Sequence, residues 1–251
     1  FRVINTDDDV GKSLFKQGYT ITYGFKGADI YPTYYNFDIN GLYLKLNVFG
    51  DNYEINSNLI GLYNIYNIMA AVGSSVFFGI PKSRICKALS SFENVPGRLE
   101  KFVKNGRCAV VDYAHTDDAM KNVLTTLRQL TKNRLIVVFG AGGDRDKTKR
   151  PKMGKVASNL ADIVIITNDN PRTEDPDLII SDIVNGISNH EKIIIEKDRK
   201  LAIIKALEMS KEGDIVAILG KGHEDYQIIG DKKYHFDDRE IVKDFWDVEP
   251  R

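Results

Sequence analysis

The sequence predicts an α/β protein: a Rossmann-like, doubly wound C-terminal domain preceded by a smaller α/β region. Two observations carry this. Beyond residue 98, five short apolar runs alternate with segments of helical length, the grammar of a parallel sheet with right-handed helical crossovers. Residues 1–95 hold instead tyrosine- and asparagine-rich runs of alternating polarity.

In the front region, strands are predicted over 19–25, 33–40 and 42–49, the last two joined by an Asn40-Gly41 hairpin turn. A helix is predicted over 65–78, then a break at Gly79-Ile80-Pro81 and a second helix over 82–91. The stretch 92–98, punctuated by Pro96-Gly97, reads as a linker about which the two regions are expected to move. In the rear region, strands are predicted over 108–112, 134–139, 162–167, 192–195 and 214–219. The intervening helices are predicted over 117–130, from 151 onward, over 177–187 and over 198–209. A last helical pattern ends before Pro250-Arg251.

Composition narrows the function classes. Hydrophobic residues are 43% and charged residues 28%, as in ordinary globular chains. Lys plus Arg and Asp plus Glu are each 35, so no net charge points to nucleic acid or an anionic membrane. The two cysteines, Cys86 and Cys108, make neither a disulfide framework nor a zinc pattern and suit a reducing cytoplasm. No apolar run is long enough to span a bilayer.

Open parallel sheets bind ligands beyond the carboxyl ends of their strands. The residues there are Tyr113-Ala-His115-Thr116, Gly140-Ala-Gly-Gly-Asp-Arg-Asp146, Asn168-Asp-Asn-Pro-Arg172 and Gly220-Lys-Gly-His-Glu-Asp225, largely polar and, in the second and fourth, glycine-rich. The second resembles a dinucleotide fingerprint, but its third glycine would fall at Arg145, which disfavours a nicotinamide enzyme. Arg145, Lys147, Lys149, Arg150 and Lys152 outnumber Asp144 and Asp146, and a basic loop at a helix start suits a phosphate or carboxylate. In Asp169-Asn170-Pro171-Arg172, proline restricts the backbone and presents an arginine that can take a carboxylate with two parallel bonds. Glu224 can take an ammonium group, and the flanking glycines allow close backbone approach. Asp112, at a strand end, suits a sugar hydroxyl or a helix cap. His115 and His223 lack a third metal ligand at helical spacing. Gly11-Lys12-Ser13 is not a phosphate loop, because Thr6 stands where its first glycine belongs.

Six strings together resemble the Mur ligases of the diaminopimelate-adding MurE type. They are Gly61-Leu-Tyr-Asn-Ile-Tyr-Asn67, Pro96-Gly-Arg-Leu-Glu100, Val111-Asp-Tyr-Ala-His-Thr116, Gly140-Ala-Gly-Gly-Asp-Arg-Asp-Lys147, Asp169-Asn-Pro-Arg172 and Gly220-Lys-Gly-His-Glu224, in family order. The resemblance implies a three-domain ligase of which residues 1–96 are the rear of the central, ATP-binding domain and 97–251 the last domain. It implies ATP-dependent amide formation, in which the D-glutamate carboxylate of UDP-MurNAc-L-Ala-D-Glu is phosphorylated and a diamino diacid attacks. Arg145, Asp169, Asn170, Pro171, Arg172, Gly220 and Glu224 would then receive meso-diaminopimelate or a close analogue such as meso-lanthionine. Asn64, Arg98, Asp112 and His115 would belong to the nucleotide pocket, with Mg²⁺ arriving with ATP. The family's phosphate loop and carbamylated lysine would lie upstream of Phe1, so no catalytic residue is expected in this chain, which alone should be inactive. A cytoplasmic monomer handling small molecules, without membrane or nucleic acid, is the implied setting. The rival reading is a binding module that captures an amino acid or nucleotide without chemistry.

Overall fold

The computed structural model describes residues 1–15 and 20–247. Tyr19, at the start of the first predicted strand, and Pro250-Arg251 lie outside the described residues. The chain forms two compact units, Phe1–Asn94 and Val95–Arg251.

The N-terminal unit runs β1 (Arg2–Asn5), α1 (Asp9–Ser13), β2 (Thr20–Tyr23), β3 (Ile30–Phe37), β4 (Leu42–Val48), β5 (Asp51–Ser57), α2 (Leu62–Phe77) and α3 (Lys82–Ser91). Its sheet follows chain order, with β1, β2 and β3 parallel and β3, β4 and β5 antiparallel. Alternation in β4 points Leu42, Leu44, Leu46 and Val48 inward, where they meet Ile65, Ile68, Met69 and Val72 of α2. β3 begins three residues before its predicted start because Ile30 is fully buried and pairs with Val48. The hairpin turn is wider than Asn40-Gly41: Asp38 closes it, accepting from the Asn40 amide at 2.7 Å while its own amide donates to the Gly41 carbonyl at 3.0 Å. The Gly11-Lys12-Ser13 tripeptide lies in α1, whose N-cap is Asp8.

The C-terminal unit runs β6 (Glu100–Lys104), β7 (Arg107–Asp112), α4 (Asp117–Leu130), β8 (Leu135–Phe139), α5 (Lys149–Leu160), β9 (Ile163–Ile166), α6 (Pro176–Val184), β10 (Ile193–Ile195), α7 (Arg199–Met209), β11 (Ile215–Leu219), β12 (Tyr226–Ile229), β13 (Lys232–His235) and α8 (Asp238–Trp246). The sheet order is β10-β9-β8-β11-β7-β6. All neighbours are parallel except β6, which runs antiparallel along β7. The chain crosses from β7 to β8, steps outward to β9 and β10, and returns to fill the gap with β11. Helices α4, α5 and α6 pack side by side, as do α7 and α8, which gives the doubly wound form. Strands β7, β8 and β11 are buried almost throughout, so β8 and β11 are unbroken apolar runs and β7 is apolar between Arg107 and Asp112. Helix α5 starts two residues before Pro151, which its first turn tolerates. Among the described residues no helix is long and apolar enough to cross a membrane.

The stretch 92–98 is not a free linker along its whole length. Gly97 has φ +67, its amide donates to Glu100 Oε2 at 2.6 Å, and a Cβ there would overlap the backbone of Gly222 and His223. From Val95 onward this segment is part of the C-terminal unit.

Candidate functional site

The sheet order places the ends of β7, β11, β8 and β9 side by side, so the four polar loops converge on one edge of the C-terminal unit. The loops after β8 and β9 are joined directly. The Gly143 amide donates to the Asn170 carbonyl at 2.9 Å, and a Cβ on Gly143 would overlap the Pro171 carbonyl, so only glycine allows this approach. Arg172 lies in the left-handed region at φ 53, a conformation the proline rule alone does not foresee. It is held there from both sides: its amide donates to the Ile228 carbonyl at 3.1 Å and its carbonyl accepts from the Gly230 amide at 2.8 Å. Its guanidinium Nη1 donates to the Gly143 carbonyl at 2.8 Å. Arg145 is exposed on the neighbouring loop.

Behind these loops lies a charged network that the sequence reading did not isolate. Arg150 is fully buried and pairs with both oxygens of Glu174, at 2.8 and 2.7 Å, and with Asp182 at 2.9 Å. It also donates to the Gly142 carbonyl at 3.1 Å. Glu174 in turn takes Lys147 and the Asp144 amide, and hydrogen bonds from Arg150 above all hold its carboxyl far below the usual carboxylate range.

The third cluster forms around Asn170, which is buried. Its Oδ1 accepts from Lys221 at 3.2 Å and from the Ile228 amide at 2.9 Å, and its Nδ2 donates to Glu224 Oε2 at 3.2 Å. Asn170 therefore orients Glu224 and the β12–β13 hairpin. Lys221, also missed by the sequence reading, is fully buried and lies 3.3 Å from Glu224 and 3.8 Å from Asp169. The Tyr226 ring faces Lys221, and the charge of Glu224 first, then burial, raises its phenol. Gly220 extends the ladder of β11, donating to the Asp112 carbonyl at 3.0 Å.

Arg98, Asp112 and His115 come together around Tyr113. The Arg98 guanidinium lies 4.8 Å from the Tyr113 ring, and the His115 ring packs edge-on at 4.7 Å. Asp112 is not the helix cap: Thr116 is, through the Ala119 amide. The two Asp112 oxygens accept instead from the amides of Leu99 and Ala114, both at 2.8 Å, while burial raises its carboxyl. Lys149 joins this cluster to the β8 loop by donating to the His115 carbonyl at 2.9 Å, and burial lowers its ammonium. Asn64 belongs to the N-terminal unit, where its Nδ2 donates to the Ile60 carbonyl at 2.7 Å and its Oδ1 accepts from Asn67 at 3.0 Å. Among the described residues no group of three or more His, Cys, Asp or Glu could hold a metal ion.

The strand-end loops of this open α/β sheet thus carry buried and exposed cations together with the carboxylate of Glu224, which Asn170 and Lys221 hold. The Mur ligase middle domain matches residues 1–75 and the Mur ligase glutamate ligase domain matches residues 97–222, and the chain belongs to the Mur ligase family. It is 50% identical over 245 residues to the UDP-N-acetylmuramoyl-L-alanyl-D-glutamate--2,6-diaminopimelate ligase of Aquifex aeolicus, covering 97% of this chain and 50% of that one. The protein of the same name from Clostridium botulinum is 48% identical, with 96% and 51% covered. The chain thus spans about half the length of the relatives it matches. A solved diaminopimelate ligase structure superposes with a TM-score of 0.71 at 36% identity, covering 98% of this chain and 52% of that one. The MurF ligase of Thermotoga maritima, solved in complex with ADP, superposes with a TM-score of 0.66 at 19% identity over 86% and 49%, a likeness of fold.

Proposed function

We propose that this chain supplies the rear of the central domain (1–96) and the whole last domain (97–251) of an ATP-dependent ligase. That ligase joins meso-diaminopimelate, or a close analogue, to UDP-MurNAc-L-Ala-D-Glu in peptidoglycan precursor synthesis. The observation that carries this is the charge layout of the strand-end loops, read beside relatives that carry the ligase name. Arg145 and Arg172 are two cations on adjacent, directly bonded loops, and Glu224 is a carboxylate held by Asn170 of the same loop as Arg172. A diamino diacid presents two carboxylates and two ammonium groups, so one amine remains for attack when the other is taken by Glu224.

In this reading Arg172 receives a carboxylate through the edge of its guanidinium turned away from Gly143, and Arg145 adds charge from the exposed loop. Asn170 and Lys221 set the position of Glu224, Asp169 lies beside Lys221, Pro171 and Gly143 lock the loop contact, and Gly220 brings backbone close to the ligand. These residues orient the amine and exclude alternatives; the reacting carboxylate is activated elsewhere in the ligase. Arg98, Asp112 and His115 are assigned to the nucleotide. The donor set around Tyr113, an aromatic face with a guanidinium and a half-buried lysine, suits an anionic aromatic ligand, and ATP supplies the phosphoryl group that activates the carboxylate. Mg²⁺ would accompany ATP, and no residue of this chain is assigned to hold it.

The test is an amide-ligase assay of the full-length protein with ATP, the muramoyl dipeptide and either meso-diaminopimelate, meso-lanthionine or L-lysine, read by product mass. Turnover with the diacids and little with lysine supports the reading; preference for lysine, or no amide product, refutes it.

A further inference from the structure

The two arginines assigned to carboxylates are linked by more than the Gly143–Asn170 contact. Asp144, which immediately precedes Arg145, has φ 54, and Arg172 has φ 53. Two non-glycine residues in the left-handed region face each other across the same loop pair, a placement that tertiary contacts must maintain. Asp144 Oδ2 accepts from the amide of Thr173 at 3.1 Å and from its hydroxyl at 3.0 Å, and Thr173 immediately follows Arg172. The Asp144 amide is occupied in the opposite sense, donating to Glu174 Oε2 at 3.1 Å, and Glu174 is pinned by buried Arg150. The Asp144–Thr173 fastener therefore sits one residue from each arginine.

We propose that Asp144 is a positioning residue that sets the spacing between Arg145 and Arg172, and through it the preference for a ligand with two carboxylates. Asp144 touches no ligand in this account; it acts through the backbone on which the two guanidinium groups ride. A ligand with a single carboxylate needs only one arginine correctly placed, whereas a diacid needs both at a fixed separation. Loss of the fastener should therefore fall on the diacid selectively. The inference rests on the carboxylate role proposed above for the arginines.

The test uses the 251-residue chain and ligand-observed NMR titration with meso-diaminopimelate and with L-lysine. Asp144→Gly removes the acceptor while allowing φ 54, and Asp144→Asn keeps an acceptor and tolerates that φ. Thr173→Val removes the hydroxyl donor alone. Thermal melting checks that each variant folds. Asp144→Gly is expected to weaken meso-diaminopimelate binding by roughly tenfold, the worth of one to two hydrogen bonds, and lysine binding hardly at all. Asp144→Asn should stay within about threefold of wild type, and Thr173→Val should lose part of the effect, with no further loss when combined with Asp144→Gly. If Asn and Gly behave alike, charge and not the fastener matters, and the proposal fails. It fails equally if the ratio of diacid to lysine affinity is unchanged in Asp144→Gly. If the wild-type chain itself shows no preference for the diacid, the carboxylate role of the arginines falls first and this inference with it.

Discussion

Replacing Arg172 by alanine in the full-length protein is expected to raise the KM for meso-diaminopimelate by roughly tenfold to 150-fold. The figure follows from geometry. Nη1 is already committed to the Gly143 carbonyl at 2.8 Å, and the main chain is bracketed by Ile228 and Gly230, so the guanidinium is placed before the ligand arrives. A charge-assisted pair in such a half-buried position contributes on the order of 1.5–3 kcal/mol, with little side-chain entropy left to lose. Each ~1.4 kcal/mol is tenfold, which gives the stated range. Arg172→Lys should rescue little, since a lysine cannot hold Gly143 and present a paired edge at once. The KM for ATP should hardly change, because the contacts of Arg172 lie with Gly143, Asn170 and the β12–β13 hairpin and not with the Tyr113 cluster. Discrimination against L-lysine should shrink in parallel. Steady-state kinetics with each substrate varied in turn is the assay. A normal KM for the diacid in the alanine variant, or a defect confined to ATP, would refute the reasoning.

Three further outcomes follow from the C-terminal unit. Glu174 has a folded pKa far below its unfolded value, so its stabilising effect is complete above the usual carboxylate range and is lost as pH falls through and below that range. Melting temperature should drop between pH 6 and pH 3 more steeply in wild type than in Glu174→Gln, and parallel slopes would contradict this. Arg199 and Asp238 form a fully buried pair at 2.7 Å, so Arg199→Met leaves a buried charge unpaired and should cost about 3–5 kcal/mol in denaturant titration. Gly97→Ala must carry a Cβ at φ +67 into the Gly222–His223 backbone and should destabilise by more than about 2 kcal/mol, measured the same way.

The parallel sheet was legible because burial on both faces makes each strand an unbroken apolar run, as in Leu135–Phe139 and Ile215–Leu219. Helix α4 matches its predicted 117–130 span because Thr116 caps it and acidic residues fill its first turn. Edge strands were harder. The strand β6 carries Glu100, Lys101 and Lys104 and reads as polar, and β13 is exposed along its whole length. Strand β5 does alternate, but its Asp51, Asn52 and Asn56 read as turn residues. At the site, Arg172 and Glu224 were legible from residue type at strand ends, whereas the groups that place them were not. Lys221 and Arg150 look like surface cations in sequence and are fully buried, held largely by partners remote in sequence such as Glu174 for Arg150 and Asn170 for Lys221. The left-handed Arg172 was equally hidden, because the Ile228 and Gly230 contacts that hold it come from a hairpin more than fifty residues on.

In the proposed reading the loops after β8, β9 and β11 receive the diamino diacid. Its most direct test is a backbone-amide NMR titration of the chain with meso-diaminopimelate. Saturable shifts are expected to concentrate at Arg145, Arg172, Gly220 and Glu224, with the Arg98–Tyr113 region little moved. Saturation without change at those four residues, or shifts centred on Tyr113 and His115, would contradict it.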